Sequence, residues 1–384
     1  MEQLRFKDDS GNHYPEWNKN KISEVGFLKT SSIDKLIHQN EEVLNLVNYM
    51  DVYKQKEVSN KTVKNMPLTS ANKNQISQNN LKKGDVLFTP SSETKRDIGH
   101  TLSIKEDIEN AVYSYHLMRF RPNIEFDPNF LNYVFKTKKS YFQLSQFAQG
   151  LTRYTLSIKN LNKLEFNYPN SIKEQEKIGN YFSNLDKIIN NKSRQLDLLE
   201  LYKKDMLHKI FNLNLIYKNE IKNIQNLGDF IKIKTGKLNA NQQVENGKYP
   251  FFTCSKKIYK IDNFSFDTEC VLISGNGDLD VKYYNGKFDA YQRTYIIESQ
   301  KIDTKYLYYF YTNLLNKIKQ KSCGSVIKFI KLNDIKNINL NLPNIENQIK
   351  ISNFLSSIDN RISNTKNELG NLNNLKKDMS EKMF

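Results

Sequence analysis

The chain has 384 residues, with 58 Lys and Arg against 42 Asp and Glu, giving a net charge of +16. Hydrophobic residues make up 38% and aromatic residues 12%, enough for two or three cores, which excludes a chain disordered throughout. Cys254, Cys270 and Cys323 are too few and scattered for a disulfide framework or a C-x-x-C metal site, and neither Met1–Lys7 nor any later run is apolar enough for a signal or membrane segment, so a reduced, cytoplasmic setting is expected.

Residues 1–170 form a first block, net +5, in which short apolar strands such as Asp85-Val86-Leu87-Phe88 alternate with turn residues. An aromatic helical stretch from Phe130 to Phe142 follows, then Gly150, then an alternating strand through Leu164, Phe166 and Tyr168 that ends at Pro169. A long helix is predicted over residues 171–215. Residues 216–343 form a second block of the same order. It has a strand at Cys270-Val271-Leu272-Ile273, a helix from Tyr306 to Ile318, then Gly324, and a strand through Ile338, Leu340 and Leu342 to Pro343. A second long helix is predicted over residues 344–384. Of the net charge, +5 lies in residues 1–170 and +8 in residues 212–342, so the predicted helices are nearly neutral.

The two halves repeat. Lys203-Lys204-Asp205-Met206 matches Lys376-Lys377-Asp378-Met379 at an offset of 173 residues, and Lys209 and Phe211 match Lys382 and Phe384. Gln175, Ile178 and Asp186 match Gln348, Ile351 and Asp359 in the same register. Within the first helix Ile178, Phe182, Leu185, Ile189, Lys192, Leu196, Leu199, Lys203, Met206 and Ile210 form a heptad seam. The second copy is Ile351, Leu355, Ile358, Ile362, Thr365, Leu369, Leu372, Lys376, Met379 and Met383, with polar breaks at the same two places. Helices of some 40 residues would be about 60 Å long and cannot bury such a stripe alone. Pairing within the chain is the expected solution. Helices lying separately on their own blocks, or dimerising between chains, are the alternatives.

Catalytic signatures are sparse. Gly236-Lys237, Gly247-Lys248 and Gly286-Lys287 lack the earlier glycine of a P-loop, and Gly275-Asn276-Gly277 has Asp280 where a dinucleotide motif needs a third glycine. No two prolines are adjacent, as the tetrad of an amino-methyltransferase requires, and His13, His38, His100, His116 and His208 show no metal-ligand spacing. Scattered carboxylates leave a degenerate nuclease open. What stands out is basic residues among hydroxyl, amide and aromatic groups. In the first block these are Ser92, Thr94, Lys95, Arg96, Arg119, Arg121 and Arg153, with Lys136, Lys138 and Lys139. In the second they are Lys256, Lys257, Asn276, Lys282, Tyr284, Arg293 and Lys328, with Lys287, Lys317, Lys319 and Lys321. Lys suits phosphates, Arg the bidentate contact to guanine, and Asn276 or Gln292 an adenine. Singly, each reads as a solvated charge; as a set on two blocks they point to DNA, with no metal site.

The order of block, helix, block and helix resembles the specificity subunit of a type I restriction-modification system. The resemblance spans the whole chain. It is carried by Pro169 to Gln175 and Pro343 to Gln348, by the helix ends Lys203 to Phe211 and Lys376 to Phe384, and by the approaches from Gly150 and Gly324. Asn347-Gln348 stands where the first copy has Glu174-Gln175. It implies an α+β fold: two mixed α/β target recognition domains in pseudo-two-fold arrangement, separated by an antiparallel coiled coil of two conserved spacer helices. It also implies sequence-specific binding of double-stranded DNA, each domain reading half of a bipartite target. The chain itself would be non-catalytic and hold no cofactor. Two modification subunits would methylate, restriction subunits would translocate and cleave, and S-adenosylmethionine, ATP and magnesium would belong to them. A coiled-coil adaptor that binds protein partners is the reading from another class, but it leaves the basic blocks unexplained.

Overall fold

Two prolines mark where sheet gives way to helix. The computed structural model describes residues 3–212, 225–277, 279–321 and 329–384, with residues 316–321 described by backbone alone. Just before Pro169 the strand Glu165–Tyr168 pairs antiparallel with Asn18–Lys21, and before Pro343 the strand Asn339–Leu340 pairs antiparallel with Gln225–Asn226. Each proline is followed by a long helix, Ile172–Asn212 and Ile345–Met383. The chain divides into two compact units, Met1–Asn191 with Leu369–Phe384, and Lys192–Glu368.

The first unit is built on two four-stranded sheets. Strands Gly26–Thr30, Met118–Pro122, Val86–Phe88 and Thr101–Ser103 form an antiparallel sheet in that spatial order. Strands Leu68–Ala71, Glu42–Val47, Ile108–Tyr113 and Asn80–Leu81 form the other, its central pair parallel. The unbroken apolar run Val86-Leu87-Phe88 has a physical cause: Val86 and Phe88 enter one core with Phe120 and Phe130, and Leu87 enters another with Tyr113 and Leu102. The expected helix from Phe130 to Phe142 is instead two, Pro128–Val134 and Lys138–Phe147. Asp127 caps the first through Phe130 N (2.8 Å), and Thr137 opens the second by accepting from Ser140 N (3.2 Å).

The second unit has one six-stranded sheet. Its order is Ile231–Thr235, Thr294–Ser299, Phe266–Ser274, Val281–Ala290, Tyr249–Phe252 and Tyr259–Ile261. Only the pair Tyr249–Phe252 and Val281–Ala290 is parallel. The run Cys270 to Ile273 again serves two cores, Val271 and Ile273 on one face and Cys270 and Leu272 on the other. One uninterrupted helix, Thr304–Lys321, packs here.

Within each unit a stretch of one long helix lies antiparallel to a stretch of the other, so the pairing is intramolecular. In the first, Asp186 meets Lys376 (2.5 Å) while Phe182 stacks on Phe384 (5.7 Å). In the second, Lys192 meets Glu368 (2.6 Å), Glu200 meets Lys366 (2.7 Å) and Lys203 meets Asp359 (2.5 Å). No seam position is fully exposed. Ile178, Phe182, Leu185, Leu199, Ile351, Leu355 and Ile358 are buried, and Leu196, Leu369 and Leu372 are half-buried. One polar break in each seam, Lys203 and Lys376, also has its reason. Lys376 and Lys203 each reach an aspartate that also accepts from a tyrosine, Tyr133 OH to Asp186 and Tyr309 OH to Asp359, both at 2.8 Å. Among the described residues no helix is long and apolar enough to cross a membrane, and no group of three His, Cys, Asp or Glu is placed to hold a metal ion.

Candidate nucleic-acid interface

In the first unit two predicted segments meet as a small sheet. Ser91–Ser92 pairs antiparallel with Tyr154–Thr155, which sets the loop of Ser92, Thr94, Lys95 and Arg96 beside Arg153. The turn that delivers Arg153 depends on Gly150. Its φ is +126°, and a Cβ there would lie 2.0 Å from the Arg153 carbonyl oxygen. Ser92 is buried and its hydroxyl accepts from Thr94 N (3.3 Å), so it shapes the loop rather than facing outward. Lys95 lies 5.5 Å over the Tyr154 ring, and exposed Arg153 donates to Ser91 Oγ (3.2 Å). Arg96 and Arg153 have no carboxylate within salt-bridge distance among the described residues.

Arg119 and Arg121, expected at a DNA surface, instead turn into the protein. Arg119 is 2% exposed, donates to Asn80 O (2.7 Å) and lies 5.4 Å over the Tyr113 ring. Burial pulls its proton affinity below the usual arginine range. Arg121 grips both oxygens of buried Asp85, each at 2.7 Å, and Asn80 as well. Both guanidinium groups bind protein, because the strand that carries them runs beside Asn80 and Asp85. They join strands; they do not face a ligand.

The second unit gathers three loops. Lys282 Nζ donates to Ser255 O (3.0 Å) and Asp280 (2.6 Å), and Gly275 N donates to Arg293 O (2.8 Å). Lys256, Lys257 and Arg293 are exposed around this junction, with half-buried Asn276 beside them. Lys257 lies over Tyr259 (5.3 Å) and Lys287 over Phe264 (4.7 Å). Lys282 is half-buried and already neutralised by Asp280, so it positions the loop of Ser255 instead of offering a free charge. Tyr284 is a packing residue, its ring 5.1 Å from Phe252 and 5.5 Å from Phe288. Lys328 lies outside the described residues, as do Gly324 and the side chains of Lys317, Lys319 and Lys321.

Sequence reasoning missed a cleft of about 770 Å³ in the first unit, lined by Lys35, Tyr49, Met50, Tyr53, His116 and Arg153 together with the Ser91–Thr94 loop. Its residues come from five separate segments, joined by bonds such as Tyr115 N to Ile33 O (2.9 Å) and Tyr49 OH to Ser91 O (2.8 Å). No local pattern announces it. Elsewhere in this unit, half-buried Lys136 bonds Asn132 (2.8 Å) and Gln55; burial and the nearby Lys376 hold its pKa down to about 7.

Known proteins share this arrangement. The family model for the type I restriction modification DNA specificity domain matches residues 14–201 and again 219–374. The specificity subunit of the type I restriction enzyme EcoDI from Escherichia coli is 42% identical over 143 residues, 37% of this chain and 32% of that one. The MjaIX specificity subunit from Methanocaldococcus jannaschii is 26% identical over 257 residues, 56% of this chain and 58% of its own. The chain thus spans less than two thirds of the length of either relative. The crystal structure of a type I restriction-modification S subunit from M. genitalium superposes with a TM-score of 0.64 at 17% identity, covering 100% of this chain and 99% of that one.

Proposed function

The chain belongs to the family of type I restriction modification DNA specificity domains, and on that premise we propose that it is the DNA-reading subunit of a type I restriction-modification complex. Each unit reads one half of a split duplex sequence, and the paired helices set the unread gap between the halves. The observation that carries this reading is the duplicated surface. Each unit presents exposed basic loops, Lys95, Arg96 and Arg153 in the first and Lys256, Lys257 and Arg293 in the second, none of them neutralised by a carboxylate among the described residues. Lysines there hold backbone phosphates, and Arg96 and Arg293 reach base edges in the major groove.

In this reading the chain contributes recognition and no reacting group. Methyl transfer belongs to two modification subunits lying along the helices, which bring S-adenosylmethionine. Restriction subunits bring ATP and magnesium for translocation and cleavage. The test is co-expression with the methyltransferase of its own system, followed by mapping of N6-methyladenine in host DNA. The expected result is a motif of two short parts around a fixed gap, lost when this chain is deleted. Methylation that persists without the chain, or a motif with no gap, overturns the reading.

A further inference from the structure

The cleft of the first unit concentrates positive charge on one side. Lys35 comes from the loop after Gly26–Thr30, His116 from the turn after Ile108–Tyr113, and Arg153 from the turn after Gly150. The Tyr115 N to Ile33 O bond holds the first two segments together. Lys35 and Arg153 are close enough to His116 that both, after burial, lower its proton affinity. None of the three has a carboxylate within salt-bridge distance among the described residues. Across the cleft Asp97 is held by Tyr53 OH (3.0 Å) and His100 (2.8 Å), whereas Glu93 forms no salt bridge among the described residues. Lys35 and Arg153 converge on the His116 ring with no carboxylate paired to any of the three among the described residues, and a bound anion relieves the repulsion that also disfavours protonation of the ring.

We propose that Lys35, His116 and Arg153 clamp one backbone phosphate of the duplex at the mouth of this cleft, fixing the register in which the first half-site is read. The proposal rests on the reading of the chain as a DNA-recognition subunit. The clamp lies directly beside the Ser91–Thr94 loop and the 45% exposed Met50, so it sets the position from which those groups face base edges. A phosphate contact carries no sequence information of its own. Its loss therefore weakens binding to all duplexes alike.

The experiment uses the full chain assembled with its methyltransferase and a duplex carrying the mapped motif, with affinity measured against salt concentration. The Lys35→Gln/Arg153→Gln double variant is expected to flatten the log–log salt slope by about 0.9, and each single variant by part of that. Cognate and non-cognate affinity should fall by the same factor. Lys35→Arg should retain binding, and Glu93→Gln should tighten it, a gain that misfolding does not produce. A Lys35→Gln/Arg153→Gln double variant with unchanged slope and affinity overturns the clamp. So does saturable binding of inorganic phosphate that this double variant abolishes while duplex binding stays intact, which would assign the site to free phosphate. A wild-type complex that selects no duplex overturns the parent reading instead.

Discussion

In the first unit Gln175 ties Pro169 O (2.8 Å) to Asp127 N (3.0 Å), and in the second Gln348 ties Pro343 O (2.8 Å) to Asp303 N (2.9 Å). Asp127 caps the next helix through Phe130 N, as Asp303 caps its own through Tyr306 N (2.7 Å). The Tyr133–Asp186–Lys376 and Tyr309–Asp359–Lys203 corners repeat as well. The sheets in front of these joints do not repeat: two four-stranded sheets stand against one of six strands. The duplicated scaffold is rigid at these joints and variable in the sheets ahead of them. A buried glutamine amide with both ends bonded cannot change alone without stranding its partners, whereas an exposed loop residue has no such tie.

The two units should respond most differently to substitutions at the seam. Phe182 and Leu355 occupy the same seam position in the two copies, and both are fully buried. Phe182→Ala should cost about 3–5 kcal/mol and Leu355→Ala about 2–5 kcal/mol. Trp17, the single tryptophan, packs on Phe130 and Phe384 in the first unit. The denaturant midpoint of its fluorescence should therefore fall in Phe182→Ala and stay in place in Leu355→Ala. Equal shifts in both variants would mean that the units unfold as one.

A smaller effect sharpens the equivalence of the joints. Gln175→Ala and Gln348→Ala each remove a donor and an acceptor from buried backbone groups, at about 1–3 kcal/mol per stranded group. Calorimetric losses of similar size in the two variants are expected; a neutral result in one would show that its joint is held by other contacts.

The smallest effect tests a feature that the second unit lacks, since Thr312 follows Tyr309 at the spacing where Lys136 follows Tyr133. Burial, with Lys376 nearby, holds the Lys136 ammonium in the folded chain down to a pKa of about 7, well below the usual lysine range near 10.5. Between those values the unfolded chain binds the extra proton, so stability rises with pH across that window and the penalty is complete below it. Lys136→Met should accordingly stabilise the protein most at pH 6, with the advantage fading towards pH 10. Thermal melts across that range check the slope.

The helices were legible because the heptad period and the 173-residue offset state the same thing twice, and the runs at Val86 and Cys270 were legible because strands with a core on each face are apolar throughout. The polar breaks were visible but not their cause, because Asp186 and Tyr133 are far from Lys376 in sequence. Arg119 and Arg121 misled for the same reason. Charge along a strand reads as surface until the fold brings Asn80, from the other sheet, and Asp85, just ahead of the adjacent strand, against it. Of the cleft, only the Ser91–Arg96 loop and Arg153 could be read in advance, since Lys35, Met50 and His116 arrive there through topology alone.

Residues 369–384 belong to the unit otherwise built from residues 1–191. There Met383 is buried, Phe384 packs on Phe130 and Phe182, and Leu4 N bonds Lys382 O (2.9 Å). On the ribosome the first unit therefore waits for its last helical turns until the whole second unit has been translated. At a synthesis rate of about 5–20 residues per second, that leaves the Trp17 and Phe130 surface uncovered for ten seconds or more. A nascent chain of this design has an early domain that finishes late, and it must be kept from sticking to its neighbours in the meantime.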